Sequence, residues 1–387
     1  MTERAYFDWN ATAPLREEAR GAIAAALGAT GNPSSVHAEG RAARRLVEDA
    51  RAEVAALVGA EAKDVTFTSG ATEANMLALT PALETAGEKT SRDRLFVSAV
   101  EHPSVLAGGR FASEHLSELP VDANGLVDLA AMEQALGQAE RPLVSVMLAN
   151  NETGVIQPIA EIAQIVHQAN GLLHVDAVQV PGRIACDMTA LGADCMSLSA
   201  HKLGGPQGVG ALIRRDGIHI SDPLIKGGGQ ERGLRAGTEN VAGIAGFGAA
   251  AAAVRATAEA DAIRMAALRD RLESGLKAAT PEVVIFGEGV PRLTNTTLFA
   301  VPGLKAETAI IAFDLNGIAL SSGSACSSGK VSASHVLAAM GVRLDLARAA
   351  LRVSLGRSTT EAHVEQFLGT WIMLAGSLVK ERRELAA

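Results

Sequence analysis

Cysteine is scarce in this 387-residue chain. The three present, Cys186, Cys195 and Cys326, are too few for a disulfide framework and fall at no zinc-finger spacing. Reduced thiols and a cytoplasmic location are the expectation. Positive charge is also in short supply: the formal net charge is -8 and no basic stretch offers a phosphate-neutralising stripe. Nucleic acid and anionic membrane surfaces are therefore not expected as partners. The opening MTERAYFDWNATAP has no apolar core and carries charges early, unlike a secretory signal. The alanine-rich segments are interrupted by Arg, Glu and Asp, so no membrane-spanning segment is expected. There is no internal repeat, and no low-complexity tract beyond alanine enrichment. No G-x-G-x-x-G occurs. The nearest thing to a P-loop, GSACSSGK from Gly323 to Lys330, has five residues between its glycines, and Val331 stands where magnesium needs Ser or Thr. Nucleotide binding is not expected.

What remains is ample material for a core, with 48% hydrophobic and 20% charged residues. Short runs, apolar throughout, occupy 65–68, 95–98, 143–148, 172–175, 195–198 and 210–213. Helix-like stretches such as 41–58 and 158–170 flank or separate them. Runs of that kind fit strands buried on both faces of a largely parallel sheet with helices on either side. Composition shifts near residue 248, where 246–279 reads as one long helix stopped by Thr280-Pro281. Strands at 283–286, 295–301 and 351–355 then alternate with helices at 305–315, 332–340 and 360–380. The expected architecture is an α/β protein with a large domain over 16–254 and a smaller α/β domain formed by 1–15 and 255–387.

Polar residues collect just after the strands of the large domain. The first run leads into Ser69-Gly70-Ala71-Thr72, the second to Glu101-His102, and the third to Asn150-Asn151-Glu152. The fourth delivers Asp176 and Gln179, and the fifth Ser199, His201 and Lys202. Open parallel sheets bind ligands at the carboxyl ends of their strands, so these residues describe a polar site on one rim. Any one of them alone reads as ordinary loop chemistry. The Gly-Ala-Thr turn before a helix is a plausible anion cradle. Lys202, ending a buried run, suits a lysine that bonds a carbonyl cofactor, and Asp176 could pair with a pyridinium nitrogen. Together they are the minimal equipment of a pyridoxal-phosphate (PLP) site.

The segments SLSAHKLGGPQGVGAL, HVDAVQ, VMLANNETGVIQPI, TSGATEAN, EHPSV, GNPSSVHAEGRAAR, GGGQERGLRAGTEN and SSGSACSSG resemble the signatures of the cysteine desulfurases. The likeness is to the NifS/IscS branch of the class-V aminotransferases, fold-type I PLP enzymes, and runs from Asp8 to about Arg357. It implies that Lys202 bonds the cofactor and moves the α-proton. Asp176 would hold the pyridine nitrogen, Gln179 the phenolic oxygen, and His102 would lie over the ring. Ala71, Thr72, Ser199 and His201 would hold the phosphate. Thr238 would reach the phosphate of a neighbouring subunit, implying a homodimer. Asn151, also at the cofactor, and Arg352 would bind the carboxylate of L-cysteine, with Arg357 read as a surface residue. Cys326 would take the sulfur as a persulfide and pass it to an iron–sulfur scaffold protein, with a transient cluster ligand role also implied.

Cys326 stands out on composition as well. It lies among small polar residues with Lys330 nearby, the setting of a reactive thiol, whereas Cys195 sits in an apolar run. The chain closes on VKERRELAA without an aromatic- and histidine-bearing tail, a departure leaning towards NifS and nitrogenase maturation over a housekeeping IscS role. A selenocysteine lyase is the rival enzyme reading, distinguished by having no need of Cys326.

Overall fold

The computed structural model describes residues 4–87, 90–323 and 334–378. Its centre is a seven-stranded sheet: β1 (Val65–Thr68), β2 (Arg94–Ser98), β3 (Leu116–Leu119), β4 (Pro142–Met147), β5 (Leu172–Asp176), β6 (Cys195–Ser199) and β7 (Gly210–Arg214). The spatial order is β1-β7-β6-β5-β4-β2-β3. Every neighbouring pair is parallel except the two that β7 makes. β7 follows β6 after a short connection, which allows only an antiparallel neighbour; a parallel return needs a longer crossover. Strands β1 to β6 thus all point the same way, and the five polar strand ends expected from the sequence share one rim.

β4, β5 and β6 are buried along their whole length, and the polar residues within them, Ser145, His174 and Ser197, bond one another across the strands. The sequence reading missed β3. Its LSEL is half exposed because it forms the sheet edge, where no second layer demands apolar residues. At the other end the sheet closes tightly. A Cβ on Gly210 would stand 2.5 Å from the carbonyl carbon of Gly70, so β7 reaches the turn after β1 only as glycine.

Helices α1 (Glu17–Leu27) and α2 (Ala38–Leu57) pack along a 39-residue helix, α5 (Val241–Ala279); α3 (Ala71–Ala78) and α4 (Ile159–Gln168) flank the sheet. α2 turns Ala43, Val47, Ala50 and Val54 inward at helical spacing. α5 begins earlier than the sequence suggested, and its first half is apolar and long enough to cross a membrane. Half of that window is buried inside the protein, which accounts for its composition. A Cβ on Gly248 would lie 2.5 Å from the Ala50 Cα, so α5 and α2 touch at backbone distance.

The second half of α5 serves a different apolar cluster through Leu268, Leu272 and Leu276. There β8 (Val284–Ile285), β9 (Thr296–Ala300), β10 (Ser321–Ser322) and β11 (Leu351–Ser354) form an antiparallel sheet in the order β8-β9-β11-β10. Helix α6 (Glu361–Leu378) lays Phe367 and Trp371 against it, both stacked on Phe313 and edge-on to Phe299. The start of the chain joins this cluster. Ala5–Tyr6 pairs with Ile318–Ala319, and Phe7 is buried there. Glu273 of α5 and Arg292 form a buried two-bond pair at 2.8 and 2.9 Å, to which Thr297 also donates.

Candidate active site

The shared rim opens into a cavity of about 440 Å³. Of the residues singled out from the sequence, Ala71, Thr72, His102, Asn151, Asp176, Gln179, Ser199, His201, Lys202 and Arg352 all line it. They come from six separate stretches of chain: the parallel strand order brings five together, and Arg352 arrives from the antiparallel sheet. Thr238 lies outside this cavity and is exposed. Its loop is pinned by Glu231, which receives two bonds from the buried Arg51 at 2.7 and 2.8 Å and one from the Phe67 N–H. Cys326 lies outside the described residues.

Asp176 ends β5 with its side chain 6% exposed. One carboxylate oxygen accepts from the Val178 N–H and the other from the Asn75 Nδ2 of α3, both at 3.0 Å. The Oδ1 of Asn75 is buried and has no partner in the protein. Two rungs below in the same strand, His174 is fully buried between Ser145 of β4 and Ser197 of β6, 2.8 Å from each hydroxyl. Burial pushes His174 down to about 4, so it is neutral beneath Asp176.

Lys202 follows β6 in a single 3₁₀ turn, and its Nζ donates to the carbonyls of Asn10 and Ala11 at 2.5 and 2.8 Å. The N-terminal segment is thus a wall of the site, and Asn10 and Thr12 also line the cavity. The Asn10 carbonyl accepts from Gln179 Nε2 as well, at 3.0 Å, while Thr12 Oγ1 lies 3.2 Å from His201 Nδ1. Burial first, then the charge of Lys202, hold His201 near 4, so its imidazole is neutral. His102 caps the short helix Pro103–Leu106, with Nδ1 accepting from the Ser104 N–H at 3.1 Å. That bond requires an unprotonated Nδ1 and leaves the ring proton on Nε2. Burial dominates in lowering the His102 pKa, against the opposing pull of Asp176.

Arg352 of β11 is 1% exposed. It donates to Asp8 at 2.7 Å and to the Asn151 carbonyl at 3.0 Å, while its Nε is buried without a partner in the protein. A guanidinium left so incompletely satisfied beside a cavity suits a carboxylate ligand. Across the cavity, Gly70 precedes α3 in extended conformation, and the first-turn N–H groups at Ala71 and Thr72 have no intrahelical acceptors.

Two buried carboxyls frame this region from behind. Glu101 accepts from Ser98 at 2.6 Å and from the Met147 N–H at 2.7 Å, and burial raises it to about 8. Glu152 accepts from Ser334 Oγ at 2.5 Å, and burial raises it to about 7. Burial also pushes the Cys186 and Cys195 thiols up to about 12, so neither is a nucleophile at neutral pH. Among the described residues, no group of three or more His, Cys, Asp or Glu is placed to hold a metal. Ser69, named among the strand-end residues in the sequence, lines the cavity too, and Asn10, Thr12, Ser104 and Gln207 also line it and were missed in the sequence.

The donor set fits pyridoxal phosphate. A carboxylate at a strand end suits the pyridine nitrogen, an amine suits the aldehyde, and open helix N–H groups suit the phosphate. Residues 5–367 match the family described as Aminotransferase class-V. A cysteine desulfurase of Cereibacter sphaeroides is 42% identical over 95% of this chain and 94% of its own length. An IscS-like cysteine desulfurase of Mycobacterium tuberculosis is 40% identical over 99% and 98%. The crystal structure of a NifS-like protein from Rickettsia africae superposes with a TM-score of 0.87 at 37% identity, covering 97% of this chain and 100% of that one.

Proposed function

We infer the reaction from one premise: this chain belongs to the aminotransferase class-V family and is a pyridoxal-phosphate-dependent cysteine desulfurase. It converts L-cysteine to L-alanine, with the sulfur passing to the thiol of Cys326. The observation that carries the substrate assignment is Arg352, a buried guanidinium with two side-chain hydrogen bonds in the protein, lining the cavity that Lys202 and Asp176 also line.

Arg352, with Asn151 beside it, binds the substrate carboxylate and fixes the α-carbon over the site. Asp176, its carboxylate oriented by two hydrogen bonds, holds the ring nitrogen. Gln179 holds the phenolic oxygen; Ala71, Thr72, Ser199 and His201 hold the phosphate. When bound, the cofactor supplies an electron sink for the charge left at the α-carbon. Lys202 takes the α-proton and returns it. His102, with its proton on Nε2, covers the ring and can pass a proton. The Cys326 thiolate attacks the sulfur of L-cysteine as the Cβ–S bond breaks with its electrons staying on carbon. The products are L-alanine and a Cys326 persulfide, so no oxidant or reductant is consumed.

The remaining roles belong to the same proposal. Thr238, exposed on a braced loop, reaches the cofactor of a second copy in a homodimer. The unit over 16–254 carries the cofactor, and the one formed by 1–15 and 255–387 carries Cys326. The protein works in the cytoplasm, delivers sulfur to an iron–sulfur scaffold protein, and serves nitrogenase maturation. Cys326 can also ligate a transient cluster.

The test is one incubation with L-cysteine, measuring alanine and sulfide and looking by mass spectrometry for a persulfide on the Cys326 peptide. Cys326→Ala must retain the cofactor absorbance and lose sulfur transfer. Full activity in that variant refutes the persulfide route. Disruption of the gene that slows growth on dinitrogen but not on ammonium supports the nitrogenase role; equal slowing on both refutes it.

A further inference from the structure

Lys202 also lines a second, smaller cavity, of about 40 Å³, together with Arg16, Arg183, Arg357 and Asp261. Arg16 and Arg183 are 8% and 6% exposed. Cations buried to that degree are normally paired. Among the described residues, none of the three arginines has an ion-pair partner within 4 Å. Asp261 pairs instead with Arg264, at 3.3 Å.

What the three arginines touch is neutral. Arg16 donates to the Leu203 carbonyl at 3.1 Å, and Arg357 to the Leu15 carbonyl at 3.4 Å. Arg183 donates to the Gln179 carbonyl at 2.6 Å and to that residue's side-chain oxygen. Carbonyls satisfy N–H groups but cancel no charge. The strain registers in proton affinity. Burial and then the charge of Arg357 lower Arg16 against the weaker opposing pull of Asp261 and Glu18, and burial and then Arg352 bring Arg183 down to about 9. Both stay protonated at neutral pH, so the walls carry three positive charges beside a carboxylate already engaged.

We propose that this cavity binds a halide-sized inorganic monoanion. The cavity is small, about 40 Å³ against about 440 Å³ for the substrate cavity, so a small inorganic ion is the size of ligand it suits. The site is distinct from the substrate cavity, with Lys202 common to both, and the inference stands whether or not the sulfur-transfer assignment holds.

The test uses the holoenzyme at constant ionic strength, with gluconate replaced stepwise by chloride. A saturable rise in Tm is expected for the wild type, since a ligand bound only by the folded state stabilises it. Arg357→Gln removes the most accessible of the three charges and should weaken the chloride midpoint about fivefold or more. Asp261→Asn removes the competing carboxylate and should tighten it. Retained cofactor absorbance confirms that each variant is folded, and if one fails to fold the other still decides. A Tm indifferent to the exchange overturns the proposal. So does a non-saturating rise, or one shared equally by all three proteins, which is a general salt effect.

Discussion

Arg352→Lys keeps a positive charge in the cavity but removes the planar fork. The Arg352 guanidinium reaches Asp8 at 2.7 Å and the Asn151 carbonyl at 3.0 Å, two bonds from a group with five N–H donors, and the residue lines the cavity. A lysine has one point of attachment for these tasks and cannot present paired donors to a carboxylate. Hydrogen bonds to charged groups contribute about 1.5–3 kcal/mol each, and about 1.4 kcal/mol is a factor of ten. Losing one such bond to substrate lowers kcat/KM for L-cysteine by roughly 10- to 150-fold, carried mainly by KM. Steady-state alanine formation measures it, with cofactor absorbance checking that PLP occupancy is unchanged. Asp8→Asn is the control: it removes the partner's charge and spares the fork, so KM should shift far less than in Arg352→Lys. A kcat/KM for Arg352→Lys within threefold of wild type, with full cofactor, would refute the assignment of the substrate carboxylate to Arg352.

Other outcomes follow from the buried groups. Glu101, raised to about 8 by burial, is protonated in the folded protein and ionised in the unfolded chain between about 4.5 and 8. Its contribution is fully present below the unfolded pKa and is lost as pH rises through that window. Glu101→Gln should therefore flatten the fall of Tm with pH, and an unchanged slope counts against a protonated Glu101. His174, held near 4, acts in the opposite sense: stability falls as pH drops from about 6.5 towards 4, and acid melting curves should show it. Glu273→Ala leaves Arg292 buried without its carboxylate and should cost about 3–5 kcal/mol in chemical denaturation. Under native conditions a thiol-alkylating reagent should label Cys326 and spare Cys186 and Cys195, read by peptide mass spectrometry.

Much of the site was legible along the chain because its residues follow strands. An apolar run that must be buried on both faces, followed at once by a polar cluster, is a local pattern, and it located Asp176, His102 and Lys202 before any geometry. The long helix and its stop at Thr280-Pro281 were equally local, although its true start at Val241 was missed despite the Asn240 cap, whose side chain accepts from the Gly243 N–H. The edge strand Leu116–Leu119 was invisible, since an edge imposes no apolar period on LSEL.

What only the tertiary structure decided is non-local. The reversed direction of Gly210–Arg214, the insertion of Asn10 beneath Lys202 and the neutral His174 below Asp176 all depend on which strands lie side by side. So does the charge state of each group, because burial sets it. No sequence window contains Arg16, Arg183 and Arg357 together, and their shared cavity exists only once residues more than three hundred positions apart fold against one another. The sequence alone determined which chemistry is present; packing decided which atoms meet, and in what state of protonation.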